Sequence, residues 1–137
     1  MINVDNKIVV RFKDGRIVKG HTNDFFPNRD FFHVTEEKDD KNVIEVSISL
    51  LKAVFFVQNF GGKEIHSNHN DFTKESFAKI PGVKLKITFF DGEVIYGSTT
   101  GYSPDRQGFF LLPADKESNN NRIFVIKEST TKVERWP

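Results

Sequence analysis

The stretch Phe89-Phe90-Asp91-Gly92-Glu93-Val94-Ile95-Tyr96-Gly97 decides the fold, because the chain writes nearly the same line earlier as Phe12-Lys13-Asp14-Gly15-Arg16-Ile17-Val18-Lys19-Gly20. In each, apolar β-prone residues flank Asp-Gly, the pair that accepts the positive φ values a tight hairpin demands. Each also carries a glycine five residues after the turn glycine, Gly20 and Gly97. A glycine inside a strand marks a bend or a close backbone approach. At a constant offset of 77 the two segments share further residues, including Thr22/Thr99, Pro27/Pro104 and Arg29/Arg106. The chain reads as a tandem repeat.

Working outward, Ile8, Val10 and Phe12 alternate with Val9, Arg11 and Lys13, the period of a strand with one buried face. A strand from Arg16 to Thr22 follows the turn, then a loop rich in Pro, Asn and Asp from Asn23 to Asp30. Phe31 to Val34, Val43 to Ser49 and Leu51 to Val57 read as strands three to five. The second copy repeats the order, with Val83, Leu85, Ile87 and Phe89 alternating before the turn. Its loop runs from Thr100 to Gly108, and strands follow at Phe109 to Leu112, Arg122 to Lys127 and Thr131 to Trp136. Between the copies, Asp71 can cap a short helix from Phe72 to Lys79.

The expected fold is therefore all-β in the main: two tandem five-stranded barrels of the Sm or SH3 type, packed face to face and joined by that short helix. The boundaries are a first module over 1–58, a connector over 59–82 and a second module over 83–137. Modules of fewer than about 60 residues bury proportionally little surface, which favours packing the two together.

The order of hairpin, loop, strand, turn and strand resembles the Sm-like fold. Three runs are more specific: Asp91-Gly92-Glu93, Gly108-Phe109-Phe110-Leu111-Leu112-Pro113-Ala114-Asp115, and Ser118-Asn119-Asn120-Asn121-Arg122-Ile123-Phe124-Val125. They resemble a bacterial family of uncharacterised proteins and C-terminal domains. The resemblance implies a bacterial origin and a signalling context, and it brings no known activity.

Charge and composition exclude several classes. Lys and Arg number 20 against 19 for Asp and Glu, with 9 against 9 up to Gly62 and 11 against 10 after it. Nucleic-acid binding is disfavoured, since clustered cations and counterion release supply most of that affinity. The absence of cysteine removes thiolate zinc sites and cysteine nucleophiles. No apolar run is long enough for a membrane span, and Met1 to Lys7 lacks the pattern of a leader, so a cytoplasmic protein is expected.

No catalytic residue is nominated. Gly97-Ser98-Thr99-Thr100-Gly101 has the outline of a nucleophile elbow, but Thr99 is central and the context is β, so it reads as strand. His66, His69 and Asp71 match no metal spacing and read as a solvated connector; neither metal nor cofactor is expected. The Arg-x-x-x-Arg and Asp-x-Ser-x-x-Gly strings of cyclic-dinucleotide receptors are absent. An Sm-type base grip needs an aromatic, an Asp and an Asn, whereas the corresponding positions hold Phe25, Phe26 and Asp30, then Tyr102, Ser103 and Gln107.

The candidate ligand- or partner-binding residues are those of the repeated loops: Phe25, Phe26, Arg29, Tyr102 and Arg106. The plainer reading of the two arginines is that each ties down its own loop. Asp14, Gly15, Gly20, Asp91, Gly92 and Gly97 are structural turn and bend positions. Of fifteen phenylalanines, ten stand in the doublets 25/26, 31/32, 55/56, 89/90 and 109/110. Neighbours on a strand face opposite sides, so one small core cannot hold both rings, and the outer one needs cover from the other copy, the connector or another chain. The expected function is a non-enzymatic interaction or regulatory module with a protein partner or self-association through Phe-rich surface. The alternatives are Sm-like RNA or nucleotide binding and a hydrolase with an unrecognised site.

Overall fold

The computed structural model describes residues 6–60, 82–102, 105–114 and 119–135. Ten strands follow one another: β1 (Asn6–Phe12), β2 (Ile17–Thr22), β3 (Phe31–Glu36), β4 (Val43–Ser47), β5 (Leu51–Val57), β6 (Val83–Phe89), β7 (Val94–Thr99), β8 (Gly108–Pro113), β9 (Asn120–Ile126) and β10 (Thr130–Arg135). The fold is all-β, with strands where the alternation places them. Single 3-10 turns, Ile48–Leu50 and Lys127–Ser129, lead into β5 and β10.

The strands make one open antiparallel sheet in the order β10-β6-β7-β8-β9-β5-β1-β2-β3-β4. This corrects the expectation of two closed barrels packed face to face. Among the described residues no pairing closes either half, and the halves meet edge to edge where β5 pairs with β9, from Ala53↔Val125 to Val57↔Asn120. The connecting helix expected over 72–79 lies outside the described residues.

The junction has a physical cause in β5, whose seven residues are all buried. Val54 and Phe56 join the cluster of Ile8, Val10, Phe32 and Val34, while Ala53, Phe55 and Val57 join that of Leu85, Ile87, Phe89 and Leu111. β9 mirrors this, sending Phe124 and Ile126 to the first cluster and Ile123 and Val125 to the second. A strand apolar on both faces is stable only with a core on each side, and the edge-to-edge arrangement supplies one. It also shelters two doublets, since Phe55 and Phe109 belong to the second cluster while Phe56 belongs to the first and Phe110 packs against it. The others find no such cover: Phe26, Phe31 and Phe90 remain 46%, 51% and 47% exposed. They lie in a loop, at the start of β3 and in the second hairpin loop, where single exposed rings are ordinary.

The two hairpins share one geometry, and it differs from that expected. Only the glycines take positive φ, 95° at Gly15 and 92° at Gly92. Gly15 N–H donates to Phe12 O at 3.1 Å and Phe12 N–H to Arg16 O at 3.0 Å, matched by 2.9 Å and 2.8 Å around Phe89. Each loop is thus three residues long, a turn followed by a left-handed glycine. Asp14 and Asp91 accept the N–H two residues on, from Arg16 at 3.0 Å and Glu93 at 3.1 Å. That local bond explains why aspartate precedes the glycine. Gly20 and Gly97 are close-approach positions: a Cβ would strike the Thr35 carbonyl at the first and the Leu112 carbonyl at the second.

Candidate functional site

The 23–30 loop of the first half lies beside residues 105–107 of the second. Gln107, at the end of β8's leading loop, reaches across, and its Nε2 donates to Pro27 O and Arg29 O, both at 2.7 Å. Two bonds from one amide fix the loops relative to each other. Between them opens a cleft of about 640 Å³ lined by Pro27, Asn28, Asp30, Asp105, Arg106 and Gln107. A second groove of about 290 Å³ continues along the first loop past Asp24, Asn28, Arg29, Asp30, Phe31 and His33.

The residues singled out from sequence divide around this cleft. Phe25 is spent on the core: its ring meets those of Phe32, Phe56 and Phe124 edge-on at 5.0, 5.5 and 5.0 Å. Phe26 stays open, with the Arg29 guanidinium stacked 4.8 Å from its centroid. Arg106 lines the cleft, and Tyr102 is 40% exposed with its ring edge-on to Phe109 at 5.0 Å. Arg106 thus lines the cleft, Arg29 lines the neighbouring groove and reaches the seam through its carbonyl alone, and Phe25 leaves the set.

Electrostatics fix the outer flank of the first loop. Asp24 Oδ2 lies 2.7 Å from His33 Nδ1, and its Oδ1 accepts the His33 N–H at 2.9 Å. The Asp24 hydrogen bond and charge, helped by Glu45 at 3.6 Å, raise the His33 pKa above its usual value. Burial alone would raise the Asp24 carboxyl, but the bonds from His33 and Thr22 outweigh it and leave it lowered. Among the described residues the second loop shows no such latch, because Phe110 stands where His33 does and packs against the first cluster.

Sequence reasoning missed three residues. Gln107 enters the sequence reading only as the occupant of the Sm-type Asn position, and because its counterpart is Asp30 nothing in the repeat marks it as a bridge between the loops. Arg122 lies between two rings, 4.4 Å from the Phe56 centroid and 4.3 Å from that of Phe110, and burial lowers its pKa. Lys52 did leave a mark, as the one charge in the run from Leu50 to Val57. It is buried in β5 and grips the second hairpin, 2.7 Å from Asp91 Oδ2 and 2.5 Å from Glu93 Oε1.

Among the described residues no three His, Asp or Glu side chains converge as a metal site, and no helix is long and apolar enough to cross a membrane. His66, His69 and Asp71 lie outside those residues. Ser98 and Thr99 lie buried in β7, as the strand reading requires.

Fold and cleft together define an all-β protein whose two β-rich halves share a ten-stranded sheet and present paired loops at one seam. By sequence, the chain belongs to the family of unknown function DUF6982, which it matches over residues 4–135. No curated protein and no solved structure matches it.

Proposed function

We propose that the chain is a non-enzymatic interaction module, built from two Sm- or SH3-like halves, that binds a segment of a protein partner in the cleft between its 23–30 and 100–107 loops. The observation that carries this reading is the Gln107 amide bonded to both Pro27 O and Arg29 O, which preorganises loops that would otherwise move independently. Preorganisation lowers the ordering cost of binding, and loops on a rigid sheet are where recognition residues gather. The cleft offers Arg106 for carboxylates or carbonyls and Asp30 and Asp105 for basic or amide groups. Phe26 and Tyr102 supply exposed rings for apolar contact near by in the chain.

The test is quantitative co-purification from the native host with wild-type chain, an Arg106→Ala/Tyr102→Ala variant and a Phe90→Ser control, followed by titration of the purified partner. A protein retained by wild type and control but lost from the cleft variant supports the reading. Equal retention by all three sinks it. So does tight binding of oligonucleotides that weakens with salt and depends on the same residues, since that pattern belongs to phosphate recognition.

A further inference from the structure

The internal junction joins the fifth strand of the first half, β5, to the fourth strand of the second, β9. Among the described residues the sheet ends on β4, the fourth strand of the first half, and β10, the fifth strand of the second. Its two open edges are thus the same kinds of strand that the chain has already joined once. We propose that a second copy of the chain adds at these edges, β10 of one molecule pairing antiparallel with β4 of the next in the register of the internal junction.

That register can be transferred residue by residue. Leu51 and Thr130 occupy the same place against Phe12 and Phe89, and Ser47 and Ile126 the same place against Phe31 and Gly108, so these strands correspond at an offset of 79. The pairs Ala53↔Val125, Val54↔Phe124, Phe55↔Ile123 and Phe56↔Arg122 then become Lys132↔Val46, Val133↔Glu45, Glu134↔Ile44 and Arg135↔Val43. Antiparallel geometry puts Arg135 diagonally beside Glu45 on one face.

The two edges differ in a way that selects this pairing. β4, Val43-Ile44-Glu45-Val46-Ser47, contains neither Lys nor Pro, and Val43 is 56% exposed, so the edge is open to another strand. Its one charge is negative, whereas β10 carries Lys132 and Arg135 against Glu134. Pairing β4 with β4 brings like charges together, while β4 with β10 brings opposite ones, a bias toward head-to-tail addition. Where the internal junction packs Phe56, Phe110 and Phe124, the corresponding external positions hold Arg135, His33 and Glu45. The external contact is therefore weaker, reversible and salt-sensitive. A heterologous contact of this kind repeats into closed rings or open chains.

The experiment is sedimentation velocity on the full chain over a wide concentration range, at low and high salt, with Glu45→Arg, Arg135→Glu and the double variant. Both sites are exposed, and circular dichroism checks that each variant is folded. The proposal expects species that are multiples of 15.8 kDa and grow with concentration, shrink at high salt, disappear in either single variant and return in the double. A single-chain mass under every condition overturns it. Association that ignores both reversals, or that the double variant fails to restore, overturns it equally.

Discussion

Phe55 and Phe56 are neighbours in sequence but belong to different hydrophobic clusters, Phe55 with Leu85, Ile87 and Phe89 and Phe56 with Ile8, Val10 and Phe32. The strand that carries them is the wall shared by both halves. Truncating either ring opens a cavity in a packed core, at a cost of about 3–5 kcal/mol for Phe→Ala. Phe55→Ala and Phe56→Ala should each shift the denaturant midpoint by that amount and unfold both halves in one transition. A variant that loses less than about 1 kcal/mol, below the usual range for such truncations, would place its ring outside a core.

Lys52 makes the junction electrostatic as well as apolar. Its ammonium is the leading cause that holds the Asp91 carboxyl below the usual carboxylate value, with the Glu93 N–H adding to it. A depressed carboxyl contributes stability that is present above its ordinary pKa of 3.8 and is lost as pH falls through the lowered value. In Lys52→Met, the Asp91 pKa should rise toward 3.8 by NMR titration. Stability should then fall less on acidification than in the wild type. An unmoved Asp91 titration would show that the hairpin backbone, not Lys52, sets it.

Much of this was legible in the chain, and the limits have physical causes. Asp14-Gly15 and Asp91-Gly92 gave the hairpins because a left-handed glycine after aspartate has few other uses. The 55/56 doublet announced a second covering surface, but alternation tells only that both faces are buried, not which strand or core covers them. Hence face-to-face packing and an edge-to-edge seam looked alike from sequence. The matched offset of 77 also concealed a change to 79 after the third strands, where the second half has a turn longer by two residues. Arg106 at the cleft and Arg29 in the groove beside it could be found because they repeat. Gln107 could not, since a residue that bridges two copies need be present in only one.

Gly97 should tolerate no side chain. Its backbone is extended rather than left-handed, so the constraint is space: a Cβ would meet the Leu112 carbonyl and the Leu111 side chain. Gly97→Ala is expected to destabilise by about 1–3 kcal/mol, the usual range for overpacking, or more because the obstacle is backbone. Gly20→Ala should behave alike against Thr35. Chemical denaturation measures both, and a neutral result at either would mean that β2 or β7 can move away from its neighbour at little cost.

The Asp24–His33 latch predicts a pH response confined to the first loop. His33 has a folded pKa raised above 6.5, first through its hydrogen bond to Asp24, so its contribution is complete below 6.5 and is lost as pH climbs through the raised value. Asp24 has a lowered pKa, so its contribution is present above 3.8 and is lost as pH falls through the folded value. The latch is therefore fully formed between about 3.8 and 6.5, and it weakens toward alkaline pH. Asp24→Asn should bring the His33 titration down toward 6.5 in NMR and remove the neutral-pH slope from the first loop's hydrogen exchange, while the 100–107 loop is unaffected. If His33 titrates identically in wild type and variant, Glu45 rather than Asp24 governs it, and the pH dependence should instead follow Glu45→Gln.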